Sequence, residues 1–125
     1  MLIDTSALLS LFFNEKHGTW VEDQLEKHHD SLRMSTVNLA EVLILVKDRQ
    51  PQHFEKIRTE LLSSSIRFVP PTVAQAEKAA KARLEYPINL GDCFAYALAM
   101  EEGCPILTLD KGFKKTDATL LMPSD

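Results

Sequence analysis

Short apolar runs alternate with longer amphipathic ones along the whole chain. Leu2 and Ile3 form a brief apolar start that ends at Asp4, and "LLSLFF" after it continues as a short helix. "TWVEDQLEKHH" follows Gly18 with Trp20, Val21 and Leu25 on one face, which is helical spacing. "SLRMS" is a strand candidate, and "TVNLAEVLILVKDR" is a strong helix. Pro51 opens a further helix, "PQHFEKIRTELLSS", with Phe54, Ile57, Leu61 and Leu62 in register. "IRFVPP" reads as a strand stopped by prolines. "TVAQAEKAAKARLEY" and "NLGDCFAYALAMEEG" read as helices, the second ended by Gly103. "PILTLD" and "ATLLMP" supply two more short strands. Strands separated by helices pair in parallel, so the pattern predicts a layered α/β domain.

Length and composition narrow this picture. The 125 residues are 45% hydrophobic and 26% charged, which suits one domain spanning residues 1–125. The net charge of −4 excludes a protein that grips duplex nucleic acid by bulk positive charge. Contact with nucleic acid would need local basic patches or bound cations. No apolar run has the length of a membrane span. No leader sequence is expected ahead of Leu2. Cys93 and Cys104 form no CxxC pair and lie in or beside one apolar helix, the pattern of reduced, buried thiols in a cytoplasmic protein. His17, His28, His29 and His53 show no metal-ligand spacing and read as surface residues.

The informative residues are acids in unfavourable places. Ligands of open parallel sheets bind outside the carboxyl ends of the strands. Asp4 follows Leu2-Ile3 there, and Asp110 follows the strand of Ile106 to Leu109. Asp4 is also a good helix N-cap, and "DKG" at Asp110 is also good turn chemistry. Glu41 is flanked on its helix by Val37, Asn38, Ile44 and Leu45, and the other faces carry Leu39, Val42, Leu43 and Val46. A helix apolar all round is expected to be buried, and a lone Glu within it is costly to ionise unless paired or bound to a cation. Asp92 sits in a helical first turn, where an acid complements the helix dipole, but the helix behind it is apolar. Four carboxylates without a His or Cys partner suit a hard, oxygen-seeking ion, Mg²⁺ or Mn²⁺, better than Zn²⁺. Such clusters serve phosphodiester cleavage.

"LIDTSALL" at the start, Glu41 within "NLAEVL", Asp92 within "LGDCFAYALA" and "LTLDKGF" from Leu107 to Phe113 together resemble PIN-domain proteins, specifically VapC-like toxin ribonucleases. The resemblance spans nearly the whole chain. It implies a three-layer α/β/α sandwich with a short-stranded central parallel sheet. It implies that Asp4, Glu41, Asp92 and Asp110 hold one or two Mg²⁺ or Mn²⁺ ions and support endoribonuclease chemistry, leaving a 5′-phosphate and a 3′-hydroxyl. Ser6 and Thr108 match bracing hydroxyls, and Phe113 matches an apolar residue that packs the loop. Lys47, Arg49, Lys111, Lys114 and Lys115 are candidate RNA contacts. The resemblance further implies a homodimer and a cognate antitoxin. Phe12, Phe13 and Trp20 are candidates for the dimer surface. A phosphoacceptor domain of the response-regulator type, and a PIN domain that binds a partner without catalysis, are the alternatives.

Overall fold

The computed structural model describes residues 1–124. Strand β1 (Leu2–Ile3) leads into α1 (Thr5–Phe12) and α2 (Gly18–Lys27). Strand β2 (Arg33–Ser35) is followed by α3 (Thr36–Arg49), a 3₁₀ turn (Pro51–His53), α4 (Phe54–Leu62) and β3 (Arg67–Val69). Helices α5 (Val73–Glu85) and α6 (Leu90–Glu102) precede β4 (Ile106–Leu107), a second 3₁₀ turn (Lys111–Lys115) and β5 (Leu120–Leu121). The strands form one parallel sheet in the order β3-β2-β1-β4-β5, with β1 at its centre.

Adjacent residues of a strand face opposite sides of the sheet, and here both sides are covered. Ile3 and Leu107 join a core with Leu8 of α1, Val21 of α2, Val42 and Val46 of α3, and Ile57 and Leu61 of α4. Leu2 and Ile106 join a second core with Ala79 and Ala82 of α5, Cys93 and Leu98 of α6, and Phe113. Four helices on one face and two on the other make the three-layer α/β/α sandwich that the sequence implied. The two-residue β1 and β4 are apolar throughout because neither residue faces water.

Four expectations change. Helix α3 is not buried all round: Asn38, Val42 and Val46 point inward, while Ile44 is 65% exposed and Glu41 half-buried. Its outer side has no covering layer, so apolar character there does not mean burial. Phe12, Phe13 and Trp20 are half-buried and pack partly against the first core, so they are not wholly given over to a dimer surface. Cys93 is buried, whereas Cys104 lies just beyond the helix and is only half-buried. Pro51 opens the 3₁₀ turn, and α4 begins at Phe54. Among the described residues no helix is long and apolar enough to cross a membrane.

Candidate acidic active site

Asp4 leaves the central strand at its carboxyl end and serves as the N-cap of α1, accepting from the Ala7 amide at 3.0 Å. The capping reading of this position holds, and the carboxylate makes further bonds besides. Thr108 Oγ1 donates to Asp4 Oδ2 at 2.6 Å, and Ser6 Oγ approaches the two carboxylate oxygens at 2.8 and 3.0 Å. The two hydroxyls are themselves oriented by backbone donors: Leu109 N–H to Ser6 Oγ at 3.0 Å, and Asp110 N–H to Thr108 Oγ1 at 2.9 Å. Ser6 and Thr108 thus tie the end of β1 to the end of β4. Burial pushes the Asp4 carboxyl up to about 6, against the lowering effect of Thr108, Ala7 and Ser6.

Glu41 reaches the same edge from α3. Thr5 Oγ1 and Asn38 Nδ2 donate to its Oε1 at 2.7 and 2.8 Å. Its carboxylate lies against Gly91 in the first turn of α6, where a Cβ would stand 2.2 Å from Oε2. Only glycine leaves that space.

Asp92 follows one residue later and is 8% exposed. It does not cap α6: Asn89 is the N-cap and accepts from the Asp92 amide at 2.8 Å. The Asp92 side chain is thereby left for another purpose. Its carboxyl is pushed up to about 7, first by burial, then by the negative charges of Asp110 and Asp4, with Glu41 adding a smaller share. Asp110 caps the second 3₁₀ turn through Gly112 N–H at 2.8 Å, so its turn role is real as well. Phe113, fully buried, pins that turn to the second core.

The four acids come from four parts of the chain, and Asp92 feels the charge of the other three. In this conformation no three His, Cys, Asp or Glu side chains among the described residues close on a common point. The donor set still fits a hard divalent cation. It is all oxygen, and a cation would relieve the repulsion that raises Asp92.

The basic candidates divide into two groups. Lys47 lies over the Phe54 ring at 4.9 Å and Arg49 over Phe13 at 5.0 Å, both near the far end of α3. Lys111 and Lys114 line a cavity of about 260 Å³ with His17, Leu109, Met122 and Pro123, and Leu109 and Lys111 are the chain neighbours of Asp110. Lys115 is exposed on the same turn. Sequence reasoning missed Thr5, Asn38, Asn89 and Gly91 as parts of the site, and treated His17 as plain surface. The available signal was spacing: Asn38 lies three residues before Glu41 on one helix face, and Asn89 three before Asp92.

Fold and site together define a three-layer α/β sandwich with an acidic centre at the carboxyl edge of its sheet. The chain belongs to the PIN domain family, whose profile matches residues 1–119. It is 32% identical over 126 residues to VapC ribonuclease Mb2004c of Mycobacterium bovis, covering 94% of this chain and 90% of that protein. It is also 32% identical over 133 residues to ribonuclease VapC30 of Mycobacterium tuberculosis, covering 98% of this chain and 100% of that protein. Among solved structures, VapC20 of Mycobacterium tuberculosis, described as a toxin that cleaves the sarcin-ricin loop, superposes with a TM-score of 0.84 at 16% identity, covering 98% of both chains. A toxin-antitoxin complex from Klebsiella pneumoniae gives a TM-score of 0.79 at 23% identity, covering 99% of this chain and 98% of that one.

Proposed function

We propose that this chain is a divalent-cation-dependent endoribonuclease and the toxin of a toxin–antitoxin pair. The observation that carries the reading is the position of Asp4, Glu41, Asp92 and Asp110 at one sheet edge, where burial first, and then the charges of the other acids, push the Asp92 carboxyl up to about 7. Kinship with VapC ribonucleases over nearly the full chain supports RNA as the substrate.

Asp4 and Asp92 would be the central ligands of Mg²⁺ or Mn²⁺, with Glu41 and Asp110 completing the set for one ion or two. When bound, the ion supplies positive charge for the phosphoryl group and lowers the pKa of attacking water. The chain's own residues do the positioning. Thr108 and Ser6 hold the Asp4 carboxylate against rotation and keep its charged form hydrogen-bonded. Asn89 satisfies the α6 terminus, so Asp92 is free to face the centre. Lys111, Lys114 and Lys115 put positive charge beside Asp110, where an RNA backbone approaching the acids would pass. Lys47 and Arg49 belong to a separate patch and are weaker candidates for that contact. A homodimer, a cognate antitoxin and action in the cytoplasm belong to the same reading.

The phosphoacceptor alternative loses its footing at the central strand. The strand ends there in a single acid, Asp4, not in the acid pair that a phosphoacceptor site needs beside its target, and that acid serves as the N-cap of α1. The test is expression with and without the neighbouring gene product, followed by mapping of RNA 5′ ends. New ends that appear only without the partner, and vanish in Asp92→Asn, support the proposal. An unchanged RNA profile contradicts it.

A further inference from the structure

Asn38 is fully buried on α3, one turn before Glu41. Its side-chain amide has two hydrogens, and both are used. Nδ2 donates to Glu41 Oε1 at 2.8 Å and to the Gly91 carbonyl at 3.0 Å. Its Oδ1 is buried with no hydrogen-bond partner among the described residues. A buried acceptor without a partner is destabilising, and a leucine of similar volume would fill the space without that cost. What the leucine would lack is the pair of donors.

Those donors reach two helices at once. Glu41 lies on α3, and Gly91 lies in the turn of α6 immediately before Asp92. Thr5 Oγ1, at the start of α1, donates to the same Glu41 oxygen at 2.7 Å. Oε1 thus takes both donors. The whole carboxylate lies against Gly91, where the missing Cβ makes room for it, and among the described residues Oε2 accepts no hydrogen bond comparable to the two on Oε1. A carboxylate held by two donors on one oxygen keeps that oxygen occupied and presents the other.

We propose that Asn38 is a positioning residue that selects Oε2 of Glu41 as the oxygen offered to a cation and locks it to the α6 turn carrying Asp92. The proposal rests on the reading of Glu41 as a cation ligand. Glu41 then binds through one oxygen, because bidentate binding would require Oε1 to give up both donors. Asn38 touches neither RNA nor ion. It fixes the separation of two acids that come from different helices.

The test is Mn²⁺ binding to the intact, EDTA-stripped chain, followed by calorimetry and by the Mn²⁺ paramagnetic resonance signal. The proteins are wild type, Asn38→Leu, Asn38→Ser, Glu41→Gln and the double variant Asn38→Leu/Glu41→Gln, with melting curves for each. Serine covers the case in which leucine fails to fold, since it is smaller and too short to bridge both acceptors. The expected result is a loss of Mn²⁺ affinity of about tenfold or more in the folded Asn38 variants. The double variant should bind no more weakly than Glu41→Gln alone, because Asn38 acts through Glu41. Wild-type affinity in the Asn38 variants, or losses that add in the double variant, overturns the inference while leaving Glu41 a ligand. Wild-type affinity in Glu41→Gln removes Glu41 from the centre and overturns both readings.

Discussion

The positions that matter most combine a structural duty with a charge that the fold would be more stable without. Asp4 caps α1 and Asp110 caps a 3₁₀ turn, yet both add charge to a buried edge. The consequence for stability has a definite sign. Asp4 and Asp92 are raised from 3.8 to about 6 and about 7. The metal-free folded chain therefore holds protons that the unfolded chain releases between those values. Stability from these groups is full below about pH 4, falls as pH rises through 6 and 7, and is lost above. Asn is as good an N-cap as Asp. Asp4→Asn should therefore melt higher than wild type in EDTA at pH 8, by up to roughly 3 kcal/mol at about 1.36 kcal/mol per pKa unit. At pH 4 the difference should vanish. Thermal melts at the two pH values measure this, and an equal gap at both would show that Asp4 carries no raised pKa. The same variant should cleave no RNA, since a carboxamide brings no charge to a cation.

Gly91 makes a second prediction at this scale. The three atoms nearest to a methyl group there would all belong to the far end of the Glu41 side chain, which can swing away. Alanine is also the better helix former, by up to about 1 kcal/mol. Gly91→Ala should therefore fold with near wild-type stability and bind Mn²⁺ more weakly. A large drop in melting temperature with unchanged Mn²⁺ affinity would contradict this placement of Glu41.

At the scale of the elements, the sequence was informative about order and less so about extent. Every strand and helix it predicted is present, because apolar spacing records which face of each element is covered. Strand lengths were not legible. β1 and β4 are two residues each, and Asp4 N–H still bonds Leu107 O at 3.2 Å just past their ends. Where a strand stops depends on its neighbour, and a neighbour across the sheet is invisible in the local pattern. Helix α3 shows the opposite limit. Leu39, Leu43 and Ile44 look alike in sequence, yet Ile44 is left outside because no layer covers that side. The acids stood out since ionised side chains in apolar surroundings are costly. Their supports did not stand out. Thr5, Asn38 and Asn89 each have an ordinary local explanation as a helix-start or helix-surface residue, and only the fold brings them to the acids. Asn89 is open to a simple check. Asn89→Ala should destabilise the chain by about 1 kcal/mol through loss of the α6 cap, measured by urea unfolding. Asn89→Asp should retain most of it. Equal stability of all three proteins would mean that the cap contributes nothing.

For the whole molecule, the two most exposed large apolar side chains lie elsewhere than the sequence suggested. Phe12, Phe13 and Trp20 serve the core, whereas Val73 and Leu84 stand 77% and 90% exposed on α5, with exposed Ala76 and Ala80 between them at helical spacing. Small residues between two large ones let another helix approach closely. The homodimer is therefore expected to form through α5. Light scattering at micromolar concentration should give twice the 14.1 kDa chain mass for wild type and the single-chain mass for Leu84→Glu. A monomeric wild type would remove the dimer from the account.

The central claim is that four acids at one sheet edge make this acidic chain an RNA-cleaving, cation-dependent enzyme. It is tested most directly by incubating the purified, EDTA-stripped chain with a mixed single-stranded RNA while titrating Mg²⁺ or Mn²⁺, and analysing the product ends. The account predicts no cleavage without the cation, saturable cleavage with it, and fragments bearing 5′-phosphate and 3′-hydroxyl ends. Cleavage that is equally fast in EDTA, or that yields 2′,3′-cyclic phosphates, would contradict it.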